Sequence, residues 1–487
     1  MLKILAIILF NIALYWKTTR FSIIVDDIGG YDGIQKQKPF AWDKEKSILL
    51  NLKVLKGYFI RRCYGGATLG GHNIPLDHAL AILLHTMICV LIYMVFGYSN
   101  LSLFASLLYA VNPVNHQTSM WLNGRRYAIN IIIVLLMMLY SPWSIILYPW
   151  TFVNSQVACI LSPILIKGLH PMFWAVVPIL LALNYKRIKA KVDSRMEKIL
   201  CDEQRIFKPK RIIIIAKSYG FYFFNMIAPN RVMVNYPNLF WWGITKEKNA
   251  VCYKLNFEFW KGILALALSL AGVIYFQGYS RIMMIFMIGA TLQWSAVFSA
   301  VQLNADRYTS LPNVFMMYFL AYFVSMIPFS NYIFVGIIVY YATQLYHAMD
   351  MYASIDWYHR YQMYNAPDIT KPRFNRIEFY FKQKRFLTAW YLIEEGLQYN
   401  PNDFHLLFQA SVALAHIGNY EQSLQFCEKA QKCYYLGQEE VQGKVATDME
   451  NTLVNMIANK KGVPMGQTMH KKHGSPSQKP KKRKNKH

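Results

Sequence analysis

The chain has 487 residues, of which 55% are hydrophobic and 16% charged, and a formal net charge of +26. A soluble domain carries about a quarter charged residues. The apolar residues also arrive in blocks, which excludes an ordinary soluble enzyme and points to helices that cross a membrane.

Taken in order, the apolar runs predict about eleven spans: 3–16, 76–96, 101–119, 124–140, 144–167, 172–184, 212–228, 257–276, 282–302, 313–327 and 332–347. Pro149, Pro163 and Pro178 fall inside runs, so kinked or re-entrant helices are expected. The first run, MLKILAIILF, lacks a small-residue cleavage site and reads as a retained anchor rather than a signal peptide. With a cytosolic N-terminus, span 1 exits outward and 17–75 is external. On the same count, 112–127, 229–256 and 303–311 lie outside, and the basic loop 185–211 lies in the cytosol. The external loop 17–75 is itself basic, with ten Lys or Arg against five Asp or Glu. Within it, EKSILLNLKVLKGYFIRR (45–62) has helical apolar spacing with lysines between, as an interfacial helix does. Cys89 and Cys159 read as small core residues, and the seven cysteines show neither CxxC nor metal-ligand spacing.

The composition changes near residue 350. Two segments then align at a 34-residue offset: Phe386 on Tyr420, Ala389 on Ser423, Lys384 on Gly418. This period resembles tetratricopeptide (TPR) repeats. The predicted organisation is a membrane domain (1–349), two repeats (350–440), a terminal helix (441–462) and a basic tail (463–487) too polar to bury a core. The tail and the 185–211 loop suit anionic headgroups or solvent and argue against a nucleic-acid partner.

Three polar clusters interrupt the apolar pattern. SIIVDDIGG (22–30) places Asp26 and Asp27 where the first helix leaves the bilayer; alone, such a pair reads as a helix cap. NPVNHQTSMWLNGRR (112–126) carries His116, Gln117, Asn123, Arg125 and Arg126, and the arginines alone read as snorkelling anchors. DRYTSLPNVF (306–315) carries Asp306, Arg307 and Tyr308, a neighbour pair that most often serves structural salt bridges. All three fall on one predicted face, and carboxylates beside arginines suit chemistry on a lipid phosphate.

These clusters, with GHNIPLDHALAILLHTMICVLIYMVFG and the repeats after them, resemble in order the multi-pass GT-C glycosyltransferases with C-terminal TPR repeats. The likeness is to the transmembrane-and-TPR O-mannosyltransferase group and its bacterial relatives, over residues 1–435. The resemblance implies an all-α polytopic bundle followed by a short TPR hairpin array. It also implies catalytic carboxylates at Asp26 and Asp27. The sequence departs from the family pattern at Asn112, Gln117, Tyr127, Asp306 and Asn235–Tyr236, which leaves Asp26 and Asp27 as the acid candidates and puts metal dependence in doubt.

The implied reaction is inverting sugar transfer from a polyprenyl-phosphate-linked donor to a hydroxyl of a protein or glycan on the non-cytoplasmic face. Asp26 is the general base and Asp27 its support. Arg125 and Arg307 stabilise the leaving phosphate, helped by His116, Gln117 and Tyr308. No cofactor beyond the donor is required, and no metal ligand set is expected. The repeats offer a surface for an acceptor or a partner protein. The membrane is the cytoplasmic membrane in a bacterium or the endoplasmic reticulum in a eukaryote. The alternative is a degenerate, non-catalytic scaffold that binds partners through its repeats and basic tail.

Overall fold

A computed structural model describes residues 1–22, 51, 73–141, 144–151, 161–167, 211–229, 254–293, 306–365, 367 and 370–432. The described residues form sixteen α-helices, a few 3-10 turns and no strand. In chain order, the first are α1 (Leu2–Tyr15), α2 (Ile74–Val95), α3 (Asn100–Val111), α4 (His116–Ser119), α5 (Arg125–Leu139) and α6 (Ser144–Thr151). Next come α7 (Arg211–Ile227), α8 (Phe257–Tyr275), α9 (Gly278–Leu292), α10 (Ser310–Ser325) and α11 (Ser330–Met349). The last five are α12 (Ile355–Asn365), α13 (Thr370–Lys382), α14 (Phe386–Tyr399), α15 (Phe404–Ile417) and α16 (Tyr420–Lys432).

Among the described residues, three segments are long and apolar enough to cross a membrane: Leu2–Arg20, Ile74–Val95 and Phe257–Tyr275. Shorter apolar helices accompany them, α3, α9 and α10 among them. Their apolar residues face outward as well as inward. On α8, Phe257, Trp260, Leu264, Leu268 and Ile274 are exposed, while Gly262, Ala265, Ser269 and Gly272 are buried. A helix apolar on all sides has no water-facing stripe, as expected of one surrounded by lipid or protein.

Small residues allow a close helix crossing between α7 and α8. A Cβ on Gly220 of α7 would lie 2.5 Å from Gly262 Cα, and a Cβ on Gly262 would lie 2.1 Å from the Ala216 carbonyl oxygen. The two backbones therefore touch, and Tyr219 and Ser269 share a hydroxyl hydrogen bond beside the crossing.

The chain divides into two units, Met1–Pro372 and Arg373–His487. The division falls beyond the composition change near residue 350, because Met351, Tyr352 and Tyr358 pack into a cluster with Tyr15, Phe21, Met120 and Trp121. From the unit boundary onward, helix starts recur at the 34-residue spacing, at Thr370 and Phe404 and at Phe386 and Tyr420. The turns recur as well. Lys384 (φ 58°) and Gly418 (φ 89°) both adopt the left-handed conformation that ends a helix. Arg385 N–H donates to the Tyr380 carbonyl and Asn419 N–H to the Leu414 carbonyl, each at 2.9 Å.

Within the first unit, α1 and α3 run side by side in the same direction. Lys3 Nζ donates to Asn100 Oδ1 at one end, and the Tyr15 hydroxyl donates to the Ala110 carbonyl at the other. Hydrogen bonds tie several further helix ends to this second end. The end of α7 joins through Met226 to Asn112, and the start of α10 through Ser310 to Tyr109. The predicted span 101–119 is shorter as a helix: α3 stops at Val111, since Asn112 precedes Pro113 and is held extended (ψ 116°). The 45–62 interfacial helix apart from Asn51, the 172–184 span, nearly all of the 185–211 loop, the 441–462 helix and the 463–487 tail lie outside the described residues.

Candidate functional site

The polar hairpin 112–126 is built by its own side chains. Asn112 accepts from Val114 N–H at 3.0 Å and donates to the Met226 carbonyl at 2.8 Å. Asn115 donates to the Tyr109 carbonyl at 2.9 Å and accepts from Asn313 Nδ2 at 3.2 Å. Gly124 closes the hairpin: a Cβ there would lie 1.7 Å from the Gln117 carbonyl oxygen. Its backbone angles are ordinary (φ −70°), so close approach rather than unusual conformation demands glycine.

His116 then sits in a buried relay. Its Nε2 is 2.9 Å from Asp306 Oδ2, and Asn225 Nδ2 donates to Asp306 Oδ1 at 2.9 Å. The Tyr352 hydroxyl meets His116 Nδ1 at 2.5 Å. An ionised carboxylate only accepts, so Nε2 carries the proton that faces Asp306. The tautomer with that proton on Nε2 has Nδ1 as an acceptor for the Tyr352 O–H. Four segments from distant parts of the chain meet here: the hairpin, the end of α7, the turn before α10 and the turn after α11. Tyr361 on α12 lies near enough to feel Asp306; burial first, and that carboxylate second, push its phenol up to about 12.

A second buried pair lies at the start of α2 and α5. Arg125 Nη1 meets Asp77 Oδ1 at 2.9 Å, and Arg125 Nε donates to the Leu122 carbonyl at 3.1 Å. Both ionic groups are almost fully enclosed, with side-chain exposures of 4% and 1%. Asn73 caps α2 by accepting from Leu76 N–H, which sets Asp77 in the first turn, where the helix dipole favours a carboxylate.

Phe21 and Ser22, the last described residues of the N-terminal segment, contact groups next to both pairs. Ser22 donates its N–H and its hydroxyl to the Ala353 carbonyl, at 3.3 and 3.1 Å, one residue beyond Tyr352. The Phe21 ring stands edge-on to His78, the residue after Asp77, at 6.3 Å. Ser22 is thus pinned beside both clusters.

Of the residues predicted for the site, His116, Gln117 and Arg125 are buried in the hairpin, and Tyr308 lies half-buried in the turn that carries Asp306. Arg307 is in that same turn, but its side chain lies outside the described residues, as do Asp26, Asp27 and Asn235–Tyr236. Asp306 pairs with His116 and Asn225, so its bonds run across the bundle. Sequence reasoning missed Asp77, Asn225 and Tyr352. Asp77 stands in a quoted motif, but no local signal assigns it to Arg125, 48 positions away. Among the described residues, no group of three His, Cys, Asp or Glu side chains is gathered to hold a metal.

Comparison of the chain with protein-family models, with curated proteins and with solved structures finds no match.

Proposed function

We propose that this chain is a multi-pass membrane glycosyltransferase of GT-C type, with about eleven spans followed by TPR-like repeats. It moves a sugar from a polyprenyl-phosphate donor to a hydroxyl acceptor on the non-cytoplasmic face. The observation that carries the reading is the pinning of Ser22. At full extension, four residues span at most about 14 Å and five about 18 Å. Ser22, four residues before Asp26, is held near Asp77–Arg125 and His116–Asp306, and on the proposed reading the two carboxylates reach the site from that point. The described pairs Asp77–Arg125 and His116–Asp306, from separate parts of the sequence, support this reading.

In the reaction, the acceptor oxygen attacks the anomeric carbon and inverts it. The acceptor proton passes to Asp26, the bond from the anomeric carbon to the phosphate oxygen breaks, and the phosphate leaves with both electrons. Arg125 and Arg307 stabilise the negative charge that develops on it. Asp27 holds Asp26 or the acceptor, while His116, Gln117 and Tyr308 support the wall of the site. The repeats present the acceptor or a partner protein.

The test is reconstitution of the full chain with prenyl-phosphate mannose and a Ser/Thr peptide, read by mass spectrometry of the product. Asp26→Asn should lower transfer about 10²- to 10⁴-fold in a folded protein. Transfer by Asp26→Asn at the wild-type rate refutes the assignment of the base.

One observation favours the scaffold reading. His116, Gln117 and Asp306 are wholly enclosed, and the His116–Asp306 bonds are made inside the protein. Such a cluster holds helices together without any substrate. No product from any prenyl-phosphate sugar, with the chain folded, would select this reading.

A further inference from the structure

The Asp77–Arg125 pair leaves two buried polar groups unsatisfied. Arg125 Nη1 and Nε have partners, but Nη2 has none. His78 follows Asp77 directly and lies close enough to Arg125 to feel its charge, yet neither ring nitrogen has a partner at ordinary hydrogen-bond distance and angle. The Phe21 and Ser22 backbone offers the His78 ring only weak, poorly aligned hydrogen bonds. Arg125 is 4% exposed and His78 2%. Buried polar atoms are paired in the large majority of cases, and an orphaned donor carries its full desolvation cost. Two orphans on neighbouring groups therefore point to a ligand that belongs between them. The guanidinium only donates, and an imidazole always has at least one N–H to give. The missing group must accept, and beside a guanidinium edge an oxyanion does so best.

We propose that Arg125 Nη2 and the His78 ring form a buried recess for a phosphate oxygen. Asp77 is the positioning residue: by taking one edge of the guanidinium, it turns the other edge to the recess. The proposal rests on the glycosyltransferase reading only for the owner of the phosphate, which that reading makes the lipid carrier. The chemistry is shared with free phosphate.

The experiment titrates the full-length chain in detergent micelles by calorimetry with three probes: a short-chain prenyl monophosphate, inorganic phosphate and the matching prenol. The monophosphate should bind at least tenfold more tightly than the prenol. His78→Ala should weaken the monophosphate about 10- to 100-fold, the loss of one charge-assisted hydrogen bond, and leave the prenol unchanged. Equal monophosphate affinity in wild type and His78→Ala overturns the recess. If His78→Ala does not fold, exchange of the His78 C2 proton in the unaltered chain decides the matter by mass spectrometry. A rate changed by saturating monophosphate supports the recess, and an unchanged rate overturns it. Inorganic phosphate binding as tightly as the monophosphate keeps the recess and removes the lipid carrier. His78-dependent binding without sugar transfer keeps the recess and ends the transferase reading. Transfer by His78→Ala with unaltered kcat and KM does the reverse.

Discussion

Removing the Asp77 carboxylate strands a buried cation. Two ion pairs in this protein have nearly the same length but opposite surroundings. Asp77–Arg125 spans 2.9 Å with side chains 1% and 4% exposed; Lys17–Asp350 spans 2.8 Å with side chains 44% and 53% exposed. Water screens the second, which is worth about 0–1 kcal/mol. Breaking the first leaves the Arg125 charge buried with the Leu122 carbonyl as its remaining acceptor among the described residues, at a cost of about 3–5 kcal/mol. Thermal unfolding of the purified chain in detergent, read by tryptophan fluorescence, compares Asp77→Ala, Asp350→Ala and the double variant Asp77→Ala/Arg125→Met. Asp77→Ala should destabilise several times more than Asp350→Ala. The double variant should recover more than half of the loss, because the stranded charge is gone. Equal losses for the two single aspartate variants would refute the reasoning. So would a double variant whose loss equals the sum of Asp77→Ala and Arg125→Met alone.

Three further outcomes are expected. Gly124→Ala drives a methyl group into the Gln117 carbonyl and should cost about 1–3 kcal/mol or more, with a lower melting temperature and faster proteolysis of the 112–126 hairpin. A wild-type melting curve would show that the hairpin gives way at no cost. Tyr352→Phe leaves His116 Nδ1 buried without its partner and should lower stability by about 1–3 kcal/mol in the same assay, with the nitrogen-15 shifts of His116 altered. Unchanged shifts would contradict the relay. Lys384→Gly relieves a left-handed lysine and should stabilise the second unit by up to about 1 kcal/mol, read as slower amide exchange in α13 and α14. Faster exchange would mean that the lysine side chain contributes more than its backbone strain removes.

Much of this architecture was legible in local patterns. A helix satisfies its backbone within a short segment, so apolar runs such as 2–15, 74–95 and 257–275 announce themselves. The 34-residue spacing was equally readable: Lys384 and Gly418, paired by offset alone, adopt the same left-handed turn. The hairpin 112–126 stood out because polar residues interrupt apolar ones. Its inner bonding did not, since nothing in the string indicates that Gly124 touches the Gln117 carbonyl.

The amino-acid order by itself determined the all-helical character, the apolar segments and the positions of the polar interruptions, because each depends on neighbours within one or two helical turns. Only the tertiary structure decided which interruptions meet. Asp306, read beside Arg307 in the sequence, also bonds to His116 and Asn225, 190 and 81 positions away. Tyr352, near the composition change, turned out to be a His116 ligand 236 positions on. The reason is physical. A buried charge or imidazole finds its counterpart through the packing of whole helices, and separation along the chain places no limit on which helix ends are brought together.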